Sequence, residues 1–190
     1  MSSDHKEIEI KLRLPDVEEG LQRLTQICYS VRKERYFESN IIYDRDDGEL
    51  RRAGLVLRVR ATGDGGGLLT FKGKAEDSRH KVREELEITT SDAETTKRIL
   101  EHLGFSPRFR YEKYRTEFVR AGEPGLILLD ETPIGCYLEL EGPAKWIDLT
   151  AKELGFSKSD YILESYGALQ IKFCKLHGKS LGHMLFSSMA

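Results

Sequence analysis

The stretch "EIEIKLRL" at residues 7–14 alternates charged and aliphatic residues without a break. Strict period two marks a β-strand with two unlike faces. Glu7, Glu9, Lys11 and Arg13 share one face, and Ile8, Ile10, Leu12 and Leu14 the other. Two carboxylates followed by two cations on one face is an unusual order for a strand, and the rest of the chain repeats the theme.

Arg58 and Arg60 lie opposite Leu57 and Val59 in "LVLRVRAT" (55–62), and Lys72 and Lys74 share a face with Thr70 in "LLTFKGKA" (68–75). Arg83, Glu85 and Glu87 align in "HKVREELEITT" (80–90), Lys113 and Arg115 in "RFRYEKYRTEFVR" (108–120), and Glu139 and Glu141 in "CYLELEG" (136–142). Asp130 closes the apolar "GLILLDE" (125–131), and "SVRKERYFESNIIYD" (30–44) is rich in β-formers. The "GDGGG" between 55–62 and 68–75 reads as a hairpin turn. It lacks the GxxxxGK[ST] spacing of a P-loop.

Helical spacing of Val17, Leu21, Leu24 and Ile27 behind Asp16 predicts a helix over 16–28. "SDAE" (91–94) opens a second over 92–103 as a capping box, with Gly104 as its stop. Further helices are expected over 146–154 and from Asp160 to about Lys175, and "RDDGELRRAG" (45–54) as a polar connection. The segment 176–190 has no clear period and is expected to be mobile or loosely docked. The fold class is therefore α+β: a closed eight-stranded antiparallel β-barrel with helices packed outside, in one domain over 1–190 with its core at 5–175.

A sheet with a solvated face would explain any one of these strands. The set argues otherwise, because like charges recur at i and i+2, roughly 7 Å apart along a strand. Such a pair costs about 0.6 kcal/mol in water but about 2 kcal/mol at an effective dielectric near 20. The aliphatic faces need covering by the helices, so the charged faces point into the barrel. Carboxylate oxygens select hard cations such as Mg²⁺ or Mn²⁺. Arginine and lysine clamp phosphate oxygens. Together they describe a site for a polyphosphate–metal complex.

The 30 Lys and Arg and 32 Asp and Glu nearly cancel, so net charge provides no reason to expect nucleic-acid or membrane binding. Cys28, Cys136 and Cys174 form no CxxC pair, which makes a zinc site improbable and suits a reducing cytoplasm. "MSSDHKE" is polar, and "GLILL" (125–129) is too short to span a bilayer, so a cytoplasmic location is expected. The five histidines form no cluster, and His80 reads as a surface residue. Tyr36, Tyr43, Tyr111 and Trp146 read as packing residues.

"EIEIK" resembles the ExExK signature of the CYTH superfamily, the triphosphate tunnel metalloenzymes. "LRVR", "TFKGK", "REELE", "EKYR", "LLDETPIGCYLELEG" and "SYGAL" follow in the order of that family, over about residues 5–175. The resemblance implies a tunnel that binds triphosphates with Mg²⁺ or Mn²⁺, as in class IV adenylyl cyclases and thiamine, inorganic and fungal RNA triphosphatases. By position, Glu7, Glu9, Glu139 and Glu141 match the metal-binding carboxylates, and Lys11, Arg58, Arg60, Lys72, Lys113 and Arg115 the phosphate clamps. Lys74 and Arg83 join the wall on the phosphate side, and Glu85, Glu87 and Asp130 on the metal side. Some members use a basic residue of the C-terminal helix, for which Lys172 and Lys175 are the candidates. Triphosphate hydrolysis, with tripolyphosphate, ATP or thiamine triphosphate as substrate, is the favoured activity. Cyclisation of ATP to cyclic AMP and pyrophosphate is the alternative, and a non-catalytic binding module the third reading. A homodimer is an assembly to be tested.

Overall fold

The computed structural model describes residues 5–61, 63 and 65–187. Eight strands close into an antiparallel barrel in the order β1-β5-β4-β3-β2-β6-β7-β8. They are β1 (Lys6–Leu14), β2 (Ser30–Asp44), β3 (Val56–Ala61), β4 (Gly67–Lys72), β5 (Lys81–Thr90), β6 (Ser106–Val119), β7 (Leu126–Thr132) and β8 (Gly135–Glu141). Among the described residues are five α-helices: α1 (Val17–Gln26), α2 (Glu49–Ala53), α3 (Ala93–His102), α4 (Ala144–Glu153) and α5 (Tyr166–Leu176). Thr62, Asp64 and residues 1–4 and 188–190, which the sequence reading assigned to a strand end, a turn and the two termini, lie outside the described residues.

The helices decide which face of each strand turns inward. Ile10, Leu12 and Leu14 of β1, Ile127 and Leu129 of β7, and Leu138 and Leu140 of β8 are buried with Leu24 of α1 and Trp146, Ile147 and Ala151 of α4. Val59 and Tyr43 pack with Leu100 of α3. Removing each large aliphatic side chain from water is worth about 1.5–3 kcal/mol. A one-residue slip would turn that whole row to the other face, so the register is strongly held. The charged rows are left facing the interior.

Of three local differences from the sequence reading, two share one cause. The expected helix from Asp160 starts only at Tyr166, capped by Ser165. Ile162 instead exchanges both backbone hydrogen bonds with Lys11, at 2.9 Å each. β5 pairs with β1 only from Lys6 to Glu9, which leaves that edge of β1 open farther along. The expected mobile tail is docked in the same way: Met184 is buried, and its N–H and carbonyl bond Arg110 O and Glu112 N of β6 at 3.0 and 2.9 Å. β7 pairs with β6 only from Tyr114 onward. A single strand residue filling an open edge satisfies backbone groups without producing a period.

The third difference is α2, inside the expected polar connection. The Asp44 carboxylate accepts from the Arg45, Leu50 and Arg51 N–H groups at 2.8–3.0 Å and pins this short turn. At the start of α3 the cap is Asp92, which accepts from Glu94 N and Thr95 N, one residue later than the Ser91 of the expected box. His80, read as a surface residue, is buried and bonds Asp148 of α4 at 2.8 Å. No helix among the described residues is long and apolar enough to cross a membrane.

Trp146 seats α4 directly on the backbone of Gly125, where an added Cβ would lie 2.3 Å from the indole ring. Gly125→Ala therefore has to push α4 off β7 and β8. The expected loss is about 1–3 kcal/mol, read as a lower midpoint in urea unfolding with an unchanged slope.

Candidate active site in the barrel interior

The interior holds a cavity of about 860 Å³ lined by residues of the inward rows. Its charge pattern follows from strand register. Glu7 of β1 faces Arg83 of β5, Lys11 faces Glu139 of β8, Lys72 faces Glu85, Glu38 faces Lys113, and Arg115 faces Asp130. Opposite signs thus meet across the strands, and this offsets the repulsion along each strand. One inward pair breaks the rule: Glu9 sits directly opposite Glu141. Like charges in that position are destabilising by themselves.

Around this mismatch, one carboxylate oxygen from each of Glu7, Glu9 and Glu141 lies within 4.8 Å of the others. Lys72 bonds both oxygens of Glu7 at 2.7 and 2.8 Å, and Arg83 bonds one at 3.1 Å. Lys81 bonds Glu9 at 2.6 Å, and Lys11 lies 3.3 Å from the same oxygen. Glu141 has no hydrogen-bond or ion-pair partner among the described residues. Burial raises the Glu141 carboxyl; Arg115 opposes that, but Glu139, Glu9 and Glu7 add to it and bring it to about 7. Glu7 is also raised, by burial and by Glu9. Burial would raise Glu9 too, yet Lys11 and Lys81 outweigh it and hold Glu9 well below the usual carboxylate range. Lys81 is lowered to about 8 by burial and by the neighbouring Lys11.

Across the cavity stands a cationic wall. Arg58 donates to Thr70 Oγ1 at 3.1 Å and Tyr111 Oη at 3.3 Å, and lies 3.7 and 3.5 Å from Glu85 and Glu87. Its Nε is buried and donates to no protein acceptor. Arg60 reaches Glu38 at 3.2 Å. Lys113 and Arg115 converge on the fully buried Asp130 at 2.9 and 2.6 Å, and the Tyr166 hydroxyl donates to Asp130 at 2.7 Å. Arg115 also bonds Glu139, whose carboxyl Lys11, Lys113 and Arg115 hold far down against its burial. The Tyr166 ring lies 5.2 and 5.3 Å from the ammonium groups of Lys11 and Lys113. The cavity is also lined by Ile42, Val56, Phe109 and Tyr111.

Most residues singled out from the sequence meet here: Glu7, Glu9, Lys11, Arg58, Arg60, Lys72, Arg83, Glu85, Glu87, Lys113, Arg115, Glu139 and Glu141 all line the cavity. Several expected residues meet a different geometry. Lys74 follows the end of β4 and is exposed, packed over Gly54. Asp130, Glu139, Glu85 and Glu87, expected on the metal side, stand outside the group formed by Glu7, Glu9 and Glu141. Lys172 pairs with Glu164 and Lys175 is exposed, so α5 contributes the Tyr166 hydroxyl and no basic group. Tyr36, Tyr43 and Tyr111, read as packing residues, border the cavity, while Trp146 belongs to the core. Lys81, Glu38 and Tyr166 were not picked out. The alternation of Lys81 with Arg83 and Glu85 carried the signal for the first, and "SYGAL" marked the segment of Tyr166 without singling out its hydroxyl; Glu38 had no signal.

Comparison with known proteins places this geometry. The sequence profile described as the CYTH domain matches residues 5–166. A protein of Methanocaldococcus jannaschii named "Putative adenylate cyclase MJ0240" is 29% identical over 174 residues, covering 84% of this chain and 95% of its own. The X-ray structure of a protein from Vibrio parahaemolyticus, described as a "putative adenylate cyclase", superposes with a TM-score of 0.74 at 22% identity, over 86% of this chain and 96% of that one. The Hippeastrum protein HpAC1, described as a "putative adenylyl cyclase" with a dominant triphosphatase activity, superposes with a TM-score of 0.60 at 18% identity, over 92% and 97% of the two chains. These two structural likenesses bear on the fold.

The raised carboxyl of Glu141 sets a pH dependence. Because its folded value of about 7 exceeds its ordinary 4.5, its contribution to stability is complete below 4.5 and is lost as pH rises toward 7. In metal-free buffer, Glu141→Gln should melt above wild type at about pH 8, and the two curves should converge near pH 5. Thermal melts across that range measure the difference; at pH 8 a wild type more stable than the variant would refute it.

Proposed function

The chain belongs to the CYTH domain family, and we propose that it is a divalent-metal-dependent enzyme that hydrolyses a triphosphate. The observation that carries this reading is the like-charge pair of Glu9 and Glu141, grouped with Glu7 and facing a wall of arginines and lysines inside a closed barrel. The all-oxygen donor set of Glu7, Glu9 and Glu141 fits Mg²⁺ or Mn²⁺. A bound ion would supply charge neutralisation and polarisation at the phosphate oxygens.

The remaining work falls to the chain itself. Arg58, Arg60, Lys72, Lys113 and Arg115 bind the triphosphate oxygens and spread the charge that gathers on the leaving diphosphate. The buried Nε of Arg58 is a donor still free for an anion. Asp130 and Glu139 orient Arg115, Lys113 and Lys11, and the Tyr166 hydroxyl fixes Asp130 in turn. Water needs no positioning beyond this wall, whereas cyclisation requires a ribose 3′-hydroxyl held in line with the α-phosphorus. The expected cytoplasmic setting agrees with the free thiols of Cys28, Cys136 and Cys174.

Cyclisation of ATP is the second reading. The name of the Methanocaldococcus relative favours it, as do the apolar lining residues Ile42, Val56 and Phe109, which suit a nucleoside. Product analysis separates the readings. Purified protein is incubated with Mg²⁺ or Mn²⁺ and ATP, tripolyphosphate or thiamine triphosphate. Orthophosphate with the matching diphosphate is expected; cyclic AMP with pyrophosphate from ATP would favour the cyclase, and no turnover of any substrate a binding module.

Glu9→Gln keeps the shape of the side chain and removes one charged oxygen. Turnover should fall on the order of 10²-fold or more, with the protein still folded but melting below wild type in the presence of EDTA, because the buried Lys11 and Lys81 lose the carboxylate they pair with. Near-full turnover of the variant at limiting Mn²⁺ would remove Glu9 from the site.

A further inference from the structure

Lys81 has no role in the reading above, yet it makes the shortest contact to the acidic group. Its ammonium lies 2.6 Å from Glu9 Oε1, and it lines the same cavity as the cationic wall. Its backbone position is set firmly. Lys81 faces Glu9 across the β1–β5 pairing. The adjacent His80 is tied to Asp148 at 2.8 Å, and Asp148 is held by Lys158 and Tyr161 at 2.6 and 3.0 Å. Only the flexible four-carbon stem of Lys81 is left to move.

A divalent ion taken up by Glu9 would lie close to the Lys81 ammonium, and the two charges would repel strongly in a buried site. A displaced ammonium in turn needs an anion, since an unpaired buried charge is costly. We propose that Lys81 is a place-holding cation: it holds Glu9 until Glu9 takes up the divalent ion, and then passes to the triphosphate, so that ion and triphosphate bind as a coupled pair. The inference rests on the metal–triphosphate reading of the site. Glu7 is held in a similar way by Lys72 and Arg83, but among the described residues Lys81 alone pairs with a carboxylate of the group while standing outside the expected phosphate clamp.

The test measures binding, not turnover. Mn²⁺ is titrated into wild type, K81M, K81Q and the surface control K152M, and the free ion is read by paramagnetic resonance. Tripolyphosphate affinity is then measured by calorimetry with saturating Mn²⁺ and again with EDTA. Both Lys81 variants should bind Mn²⁺ alone at least about tenfold more tightly than wild type and K152M, as expected for removing one nearby like charge. They should bind tripolyphosphate more weakly with Mn²⁺ present and equally well in EDTA. Mn²⁺ affinities equal to wild type, or an equal loss of tripolyphosphate affinity in both conditions, would overturn the place-holder. No Mn²⁺ uptake by any of the four proteins would overturn it together with the reading it rests on.

Discussion

A carboxylate removed from water loses several kcal/mol of hydration unless cations and donors take over its lone pairs. Asp130 is fully buried, and its two oxygens accept from Lys113, from two nitrogens of Arg115 and from the Tyr166 hydroxyl. Those contacts join β6, β7 and α5. Arg115 continues to Glu139 on β8, and Glu139 pairs with Lys11 on β1 at 2.9 Å. One buried charge therefore organises a chain of ion pairs across the barrel, and Lys113, Arg115 and, through Glu139, Lys11 derive their orientation from it.

The same demand for neutrality explains why the interior tolerates so many charges. Glu7, Lys11, Lys72, Lys113 and Arg115 each meet an opposite sign across a strand pair, so much of the repulsion along each strand is balanced from the side. The exception, Glu9 against Glu141, is a local deficit of positive charge in an otherwise neutralised interior. A deficit at one point, next to a surplus of donors at another, is the electrostatic outline of a metal–anion pair. Lys81 and Lys72 reduce the deficit from the protein's own side chains. They do so without closing it, since Glu141 stays unpaired.

Much of this was legible in the sequence because period two is a strictly local property. "EIEIK" and "YLELE" announce strands with one charged and one aliphatic face, and the aliphatic face has to be covered. The site residues on those strands followed from the same rows. Where the alternation was absent, the reading ran out. Glu38 lies in "YFESNIIYD", where aromatic and polar residues mix on both faces, and Tyr166 opens a helix whose first turn looks like any other. Lys74 continues the alternation of "TFKGK" past the end of the strand, so pattern alone placed it inside.

The docking of Ile162 on β1 and of Met184 on β6 had no local signature either, because each fills a strand edge left open by a partner that ends early. The sequence by itself determined the strand faces, the main capped helices and the chemical character of the interior, all of which arise from neighbours along the chain. Only the tertiary structure decided which charge meets which. Register across β5–β1–β8 is set by barrel closure and by burial of the aliphatic rows under α1 and α4, and these relate residues far apart in sequence. That long-range constraint brings Glu9 against Glu141 and Lys81, and turns an alternating strand into a site.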